Sequence, residues 1–177
     1  MKGRLTAADL ARTGLFAALI IVCTYITVPL PAGVPLTLQT FAVALGGFLL
    51  GPVYGTLAAV VYLLLGAAGL PVFSGFTGGV ARFFGPTGGF LWGFLLLAAG
   101  CGLGKGRSLI LRFLPGLLGM LLCHLLGILW YARTAGLAFA AAALSASLPF
   151  LPKDIASLAL ALAFARLLEK RGVLRGR

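Results

Sequence analysis

Charged residues are scarce in this sequence, and acidic residues are almost absent. Of the 177 residues, only 10% are charged, three are Asp or Glu and one is a histidine. So few charges cannot cover the surface of a water-soluble fold of this size. The hydrophobic fraction of 61% and the mean hydropathy of +1.12 instead predict an all-α integral membrane protein.

Other signatures are also missing. Runs such as LAAVVYLLLGAAG lack the period-2 alternation of a transmembrane β-barrel. The basic turn GLGKGRS lacks the G-x-x-x-x-G-K-[ST] pattern of a nucleotide-binding loop, because Ala99 replaces its first glycine and Gly106 follows the lysine. Cys23, Cys101 and Cys123 are odd in number and lie in apolar runs, which favours small packing residues over disulfides or metal ligands.

The apolar runs predict six membrane-spanning helices in a single transmembrane domain over residues 1–177. A bilayer core of about 30 Å requires roughly 20 apolar residues per helix, and Pro or Gly separates the runs. The first run is predicted to be an uncleaved span, since no small-residue cleavage site follows a short apolar core. The predicted spans are residues 13–28, 34–50, 53–68, 88–102, 109–131 and 152–168, with a short outer helix within 135–148.

The basic residues predict the orientation of these spans. With both termini in the cytoplasm, eleven of the 14 Lys and Arg residues fall on the cytoplasmic side, as the positive-inside rule requires. These eleven are Lys2, Arg4, Arg12, Lys105, Arg107, Arg112, Arg166, Lys170, Arg171, Arg175 and Arg177. We therefore interpret the net charge of +11 as membrane topology and predict contact with lipid but not with nucleic acid.

The stretch from Gly69 to Gly93 does not fit a plain membrane helix. Its many Gly and Pro residues exclude a continuous helix, yet it is too apolar for an ordinary solvated loop. Irregular backbone with an ionisable residue, here Arg82, is tolerated in a membrane protein where it lines a cavity or is buried in protein. We therefore predict that this Gly/Pro-rich outer loop, between the third and fourth spans, forms one wall of a ligand pocket.

A second set of polar residues lies in PFLPKD, before the last span. Asp154 follows Lys153 on the predicted outer half, where it either caps the last helix or faces the pocket together with Arg82. Further candidates are polar or aromatic side chains that could surround a ligand with an anionic end and an apolar middle. They are Gln39, Thr37, Thr77, Phe73, Phe76, Phe83, Phe84 and Phe90.

Gln39 and His124 also have ordinary structural interpretations. Gln39 could equally be a residue of the membrane interface that bonds to backbone or water. His124 stands beside Cys123 without a recognisable partner, which is typical of a structural hydrogen-bonding residue. An intramembrane enzyme that uses these two residues is therefore only a remote alternative, and we predict no catalytic residues and no metal site.

Three runs together resemble the BioY family, the substrate-binding S components of energy-coupling factor (ECF) biotin transporters. They are VPLTLQTFAVALGGFLLGPVYG, YLLLGAAGLPVFSGFTGGVARFFGPTGGFLWGF and PFLPKD. The resemblance extends over most of residues 13–170. It implies six helices in a prokaryotic plasma membrane and biotin bound near the extracellular face. It also implies ATP hydrolysis only by two partner ATPase subunits, and no cofactor in this chain.

The resemblance also implies roles for particular residues. Gly14 and Ala18 match the small-residue motif with which the first helix docks onto the transmembrane coupling subunit. Asp154 is the carboxylate expected to accept the ureido N–H groups of biotin. The family commonly has a lysine three residues after this acid, where this chain has Ser157. Lys153 lies one helical turn before Ser157 and is a possible substitute.

Two alternatives stay open beside a coupled biotin-binding subunit. An S component for a different vitamin would share the helices and the docking motif. A solitary or self-associated biotin facilitator would work without ATPase partners. The sequence therefore predicts vitamin transport more firmly than it predicts the partners.

Overall fold

The computed structural model describes residues 6–28 and 35–172. The predicted span start at residue 34 lies outside these residues, as do four of the cations used for the orientation, Lys2, Arg4, Arg175 and Arg177. Within the described part of the chain there are eight helices and two short strands. They are α1 (Ala7–Tyr25), β1 (Thr27–Val28), β2 (Leu36–Thr37), α2 (Gln39–Leu50), α3 (Pro52–Ala67), α4 (Ala81–Phe84), α5 (Gly88–Leu103), α6 (Leu109–Ala135), α7 (Phe139–Ala146) and α8 (Leu151–Lys170).

The helix α1 begins before the predicted span because of a capping box. The Thr6 hydroxyl accepts a hydrogen bond from the Asp9 backbone N–H, and the Asp9 carboxylate accepts one in return from the Thr6 backbone N–H. These bonds satisfy two amides that the first turn would otherwise leave free. Asp9 is therefore part of the cap of α1.

The strands β1 and β2 form an antiparallel pair that the sequence analysis did not predict. Thr27 pairs with Thr37, and Val28 pairs with Leu36. The pairing brings the end of α1 to the start of α2, and the predicted second span therefore starts later, at Gln39. Thr37 is placed beside the first turn of α2 by this register.

Glycines allow the helices to approach closely. A side chain on Gly47 would lie 2.5 Å from the Ala98 carbonyl oxygen, and one on Gly55 would lie 2.7 Å from the Gly47 Cα, so α2, α3 and α5 are in backbone contact. Gly93 packs in the same way on Cys123, which joins α5 to α6. Cys23, Cys101 and Cys123 are buried and have free thiols.

Two helices, Ala7–Tyr25 and Leu109–Ala135, are long and apolar enough to cross a membrane. The pair Phe139–Ala146 and Leu151–Lys170, bent by 55°, makes a third such crossing if it is counted as one span. Three shorter apolar helices, α2, α3 and α5, accompany them. The chain is thus a helical protein whose apolar helices are those of a membrane protein.

The chain between α3 and α5 contains only the four-residue helix α4. Its irregular backbone includes left-handed conformations at Gly69, Gly75 and Gly79, and also at Phe76, where φ is 54°. The Gly79 backbone N–H donates to the Gly66 carbonyl of α3 over 2.7 Å. The Trp130 indole of α6 donates to the Gly85 carbonyl over 3.0 Å.

Candidate functional site

A cavity of about 500 Å³ lies between the segment 72–87 and the ends of α2, α5, α6 and α8 that face it. Its size is that of a small-molecule binding site. Most of the predicted ligand residues line it, together with residues that the sequence analysis did not single out. The lining includes Thr27, Pro35, Thr37, Gln39, Thr40, Tyr62, Phe73, Ser74, Gly75, Thr77, Arg82, Thr87, Phe90, Leu91, Phe94, Leu97, Met120, Cys123, His124, Ala146, Phe150, Lys153 and Asp154.

Asp154 lies in the first turn of α8 with its carboxylate buried, 5% exposed, at the cavity. The N-cap residue of α8 is Phe150, and the Asp154 side chain makes no capping hydrogen bond. The capping interpretation is therefore wrong. The carboxylate instead forms an ion pair with the Lys153 ammonium and a hydrogen bond with the His124 imidazole.

His124 is the polar residue of the site that the sequence analysis undervalued. Its Nε2 lies 3.2 Å from Asp154 Oδ2, and its Nδ1 lies 2.7 Å from the Ser147 hydroxyl oxygen. The imidazole is 7% exposed and meets the Phe90 ring edge-on, with the ring centres 6.0 Å apart. The interpretation of a histidine without a partner is therefore wrong, because the fold supplies a carboxylate and a hydroxyl.

Lys153 and Gln39 are both fixed by neighbours within the described part of the chain. The Lys153 ammonium donates to the Thr37 backbone carbonyl over 2.8 Å in addition to its ion pair with Asp154. The Gln39 amide donates to the Tyr62 hydroxyl over 2.6 Å. Both side chains of this second bond are buried, so the Gln39 amide belongs to the cavity wall and not to a membrane interface.

The segment between α3 and α5 forms one wall, as predicted. Phe73 and Thr77 exchange backbone hydrogen bonds of 2.9 and 3.3 Å, which closes a small loop around Gly75. The Thr77 hydroxyl donates to the Ser74 carbonyl. Phe73 is buried and meets the Tyr62 ring edge-on at 5.4 Å between centres, so the wall rests against α3.

Not all of the predicted aromatic residues face the cavity. In the described part of the chain, Phe76, Phe83 and Phe84 are absent from its lining. Phe76 is 69% exposed and stacks on Tyr25 at 4.5 Å, while Phe83 is buried behind Phe73. Phe76 was predicted to enclose the ligand, and this placement is wrong because the left-handed turn at that residue directs its ring outward.

Arg82 and the predicted docking residues are at the surface. Arg82 is exposed but also lines the cavity, which places its guanidinium at the rim. Gly14 and Ala18 are exposed on one face of α1, and Ala7 and Ala11 share that face. No described atom lies within 4 Å of the position of a side chain at Gly14. A flat strip on α1 is therefore free for another helix.

The acid near the other end of α8, Glu169, pairs with a buried arginine. Both of its oxygens accept from the Arg112 guanidinium, at 2.7 and 3.0 Å. Arg112 is 3% exposed and also donates to the Phe48 carbonyl over 3.0 Å. This arginine is therefore an internal cross-link between α2, α6 and α8.

The cavity combines one carboxylate, two cations and several hydroxyl or amide groups with an apolar middle. Such a set can bind a molecule that has N–H donors at one end, an apolar body and an anionic group. Among residues 6–28 and 35–172, no three His, Cys, Asp or Glu side chains group as metal ligands would. The arrangement thus suits non-covalent binding.

The sequence of this chain is similar to those of known biotin transporters. A model of the BioY family matches residues 1–172. The probable biotin transporter BioY of Pyrococcus horikoshii is 42% identical over 163 residues, which cover 92% of this chain and 97% of that protein. The biotin transporter BioY of Thermotoga maritima is 46% identical over 122 residues, 68% of this chain and 72% of that protein.

A solved structure shares the fold. The S-component for biotin from an ECF-type ABC transporter superposes with a TM-score of 0.85 at 27% sequence identity. The match covers 96% of this chain and 95% of that one. The arrangement of helices described above is therefore that of a transporter S component.

Proposed function

The chain belongs to the BioY family, and from this premise we propose that it is the biotin-binding, substrate-capture S component of an ECF vitamin uptake transporter. The observation that carries the proposal is the cavity of about 500 Å³ with Asp154 buried in its wall and Arg82 at its rim. A transport subunit of this kind binds its substrate unchanged, so the chain is not an enzyme.

Biotin matches the chemistry of the cavity from one end to the other. Its ureido ring has two N–H donors and a carbonyl, its thiophane ring is apolar, and its valerate is anionic. We place the ureido N–H groups at Asp154 and the apolar ring between Phe73 and Phe90. The valerate then lies at the rim, where the Arg82 guanidinium pairs with a carboxylate.

Lys153 belongs to the ureido end in this proposal. Its ammonium contacts Asp154, so a ligand group that reaches the carboxylate also comes near the ammonium. An N–H group and a carbonyl stand side by side on the ureido ring, and Asp154 and Lys153 offer the matching acceptor and donor. Gln39, Thr37 and Thr77 supply further polar groups along the wall. Where the family commonly has a lysine, this chain has Ser157. In this proposal Lys153, one helical turn earlier, supplies the cation instead.

We place the chain in the prokaryotic plasma membrane as a single transmembrane domain with six spans. The spans correspond to α1, α2, α3, α5, α6 and α8. Both termini are cytoplasmic in this arrangement, and the cavity opens toward the outside. The surplus of basic residues near the opposite ends of these helices supports this orientation.

The exposed strip on α1 supports a role in assembly. We assign Gly14 and Ala18 to docking on the transmembrane coupling subunit, which joins two ATPase subunits in a coupled transporter. A chain that works alone would use the same strip for self-association. Leu at both positions would fill the strip with side chains and block close helix contact.

A binding titration tests the substrate. The purified protein in detergent is expected to bind biotin with a nanomolar dissociation constant and to ignore other water-soluble vitamins. Preference for another vitamin would support the alternative S component. The absence of any biotin binding by folded protein would refute the proposal.

A matched pair of variants tests the site. Asp154→Asn is expected to weaken biotin binding by about 30-fold or more, because a buried charged hydrogen-bond acceptor is lost. Ser157→Ala is the control, since Ser157 is buried on the same helix, one turn away, outside the cavity lining. Equal affinity of the folded Asp154→Asn variant and the parent would show that the carboxylate does not contact the ligand.

Co-purification tests the partners. The chain with Gly14→Leu and Ala18→Leu is expected to keep its affinity for biotin. The amounts of coupling subunit and ATPases that co-purify with it from its native host should fall at least tenfold. If the parent purifies without ATPases but as an oligomer, and the variant as a monomer, the solitary facilitator is the correct alternative.

A further inference from the structure

We propose that His124 is a positioning residue for the ligand-binding carboxylate. In this proposal the imidazole is uncharged and carries its proton on Nε2, and the Ser147 hydroxyl holds the ring in place by donating to Nδ1. The His124 N–H then fixes Asp154 in the orientation that receives the ligand. The role in affinity rests on the proposed function, while the tautomer is a property of the unliganded protein.

The two hydrogen bonds of the imidazole determine the tautomer. Asp154 pairs with Lys153 as a carboxylate, which can only accept hydrogen bonds. Nε2, 3.2 Å from Asp154 Oδ2, must therefore carry the proton. In an uncharged imidazole Nδ1 is then an acceptor, and the Ser147 hydroxyl, at 2.7 Å, donates to it.

The charges around the imidazole explain why it is uncharged. Lys153 already supplies the countercharge of the single carboxylate in this part of the cavity. A second cation beside it would be a buried charge without a partner, which is costly in a low-dielectric site. Arg82, the other cation in the lining, adds to that cost.

The packing gives the imidazole little freedom to adopt another arrangement. Ser147 is 1% exposed, and its backbone ends α7, just before the turn that leads into α8. Phe90 meets the imidazole edge-on. The link from α6 through His124 to Ser147 and Asp154 therefore fixes the start of α8, on which Lys153 also lies.

The carboxylate retains acceptor capacity for a ligand. Its two oxygens have about four lone-pair sites; the Lys153 ammonium, the His124 imidazole and the Thr40 side chain occupy up to three of them. Oriented in this way, the remaining sites can receive N–H donors from the cavity. A loss of the His124 bond would leave the carboxylate free to turn toward Lys153.

The sequence contains one histidine, so nitrogen NMR reads this residue without assignment. Protein labelled with ¹⁵N-histidine, purified without biotin, is expected to show one protonated and one unprotonated ring nitrogen at neutral pH, with the proton on Nε2. Ser147→Ala is expected to keep the proton on Nε2, which the Asp154 carboxylate requires, and to shift the resonance of Nδ1, which loses its hydrogen-bond donor. A proton on Nδ1 alone, or on both nitrogens, in the parent would overturn the proposal.

Two substitutions separate the two bonds. The Gln amide nitrogen can take the place of Nε2 and keep the bond to Asp154, whereas the shorter Asn places its amide near Nδ1 and keeps only the contact with Ser147. His124→Gln is expected to bind biotin within about threefold of the parent. His124→Asn is expected to bind about 10- to 100-fold more weakly, because a hydrogen bond to a charged group is lost. Equal affinities of the two folded variants would overturn the proposal.

A double-mutant cycle covers the case in which one variant fails to fold. Ser147→Ala is expected to weaken biotin binding several-fold in the parent and to change nothing in the His124→Gln background, which has no Nδ1 to accept the Ser147 hydrogen bond. If Ser147→Ala weakens biotin binding equally in both backgrounds, Ser147 acts through packing alone. The proposed link from Ser147 through His124 to Asp154 is then overturned. If the parent binds no biotin at all, the proposed function fails, and the NMR measurement decides the tautomer independently.

Discussion

Two polar clusters join the same helices at opposite ends of the molecule, which we call inner and outer after the orientation proposed above. At the inner end, Arg112 of α6 binds Glu169 of α8 and the Phe48 carbonyl of α2. At the outer end, His124 of α6 binds Asp154 of α8, and Lys153 reaches the Thr37 carbonyl just before α2. Each cluster thus contains one buried charge pair and one backbone carbonyl.

The clusters differ in what surrounds them. Arg112 and Glu169 bind each other with two hydrogen bonds, and the nearby glycines bring the backbones together. Asp154 and His124 instead face a cavity of about 500 Å³. The same type of interaction therefore fastens helices together in one cluster and lines a cavity in the other.

The largest effect is expected from removing Glu169, the acid of the inner cluster. Glu169→Ala leaves Arg112 buried without a counterion, and we expect a loss of about 2 to 4 kcal/mol in unfolding free energy. This is somewhat below the usual cost of breaking a buried pair, because the Glu169 side chain is 35% exposed. Thermal unfolding in detergent measures the loss, and biotin affinity should stay within twofold.

Lys170→Ala is the matched control for the inner cluster, since Lys170 is the exposed neighbour of Glu169. It should leave both quantities unchanged. A large loss of biotin affinity in folded Glu169→Ala protein would show that the two clusters are not separate in function.

The next largest effect is expected from a methyl group at a helix contact. Gly47→Ala places a carbon 2.5 Å from the Ala98 backbone carbonyl, which cannot move aside easily. We expect a loss of about 1 to 3 kcal/mol in stability from this overpacking, measured by thermal unfolding. Gly14→Ala, with an open neighbourhood, should be neutral or slightly stabilising through helix propensity. Equal stability of the two variants would contradict the close contact of α2 with α5.

The smallest effect is expected at the rim of the outer site. Arg82→Gln removes an exposed cation, so we expect only about a fivefold loss of biotin affinity, and a smaller loss at high salt. An uncharged ester of biotin should bind parent and variant equally. Arg133→Gln, which removes another exposed cation away from the cavity lining, is the control. An equal loss for biotin and the ester would contradict the placement of the valerate at Arg82.

The sequence predicted the positions of the longer helices and many residues that line the cavity, but it did not predict α4 or the strand pair. Hydrophobic runs and Gly or Pro breaks located α1, α2, α3, α5, α6 and α8 to within a few residues, apart from the early start of α1 and the late start of α2. The first depends on the Thr6 capping box and the second on the pairing of β1 with β2. Both are local contacts that average hydrophobicity does not register.

Whether the sequence analysis singled out a polar residue depended on how far along the chain its partner lies. Asp154 and Lys153 were found because they are adjacent and isolated from other charges. His124 was not, because its partner lies 30 residues away, and the Arg112–Glu169 pair spans 57 residues. One signal was available for His124, since an ionisable residue inside an apolar helix usually marks a functional site.

The wall formed by the segment between α3 and α5 is held at both ends. The Tyr25 hydroxyl donates to the Pro71 carbonyl over 2.6 Å, and the Trp130 indole donates to the Gly85 carbonyl over 3.0 Å. The first bond ties the wall to α1 and the second ties it to α6. A movement of the wall away from the cavity therefore has to break at least one of them.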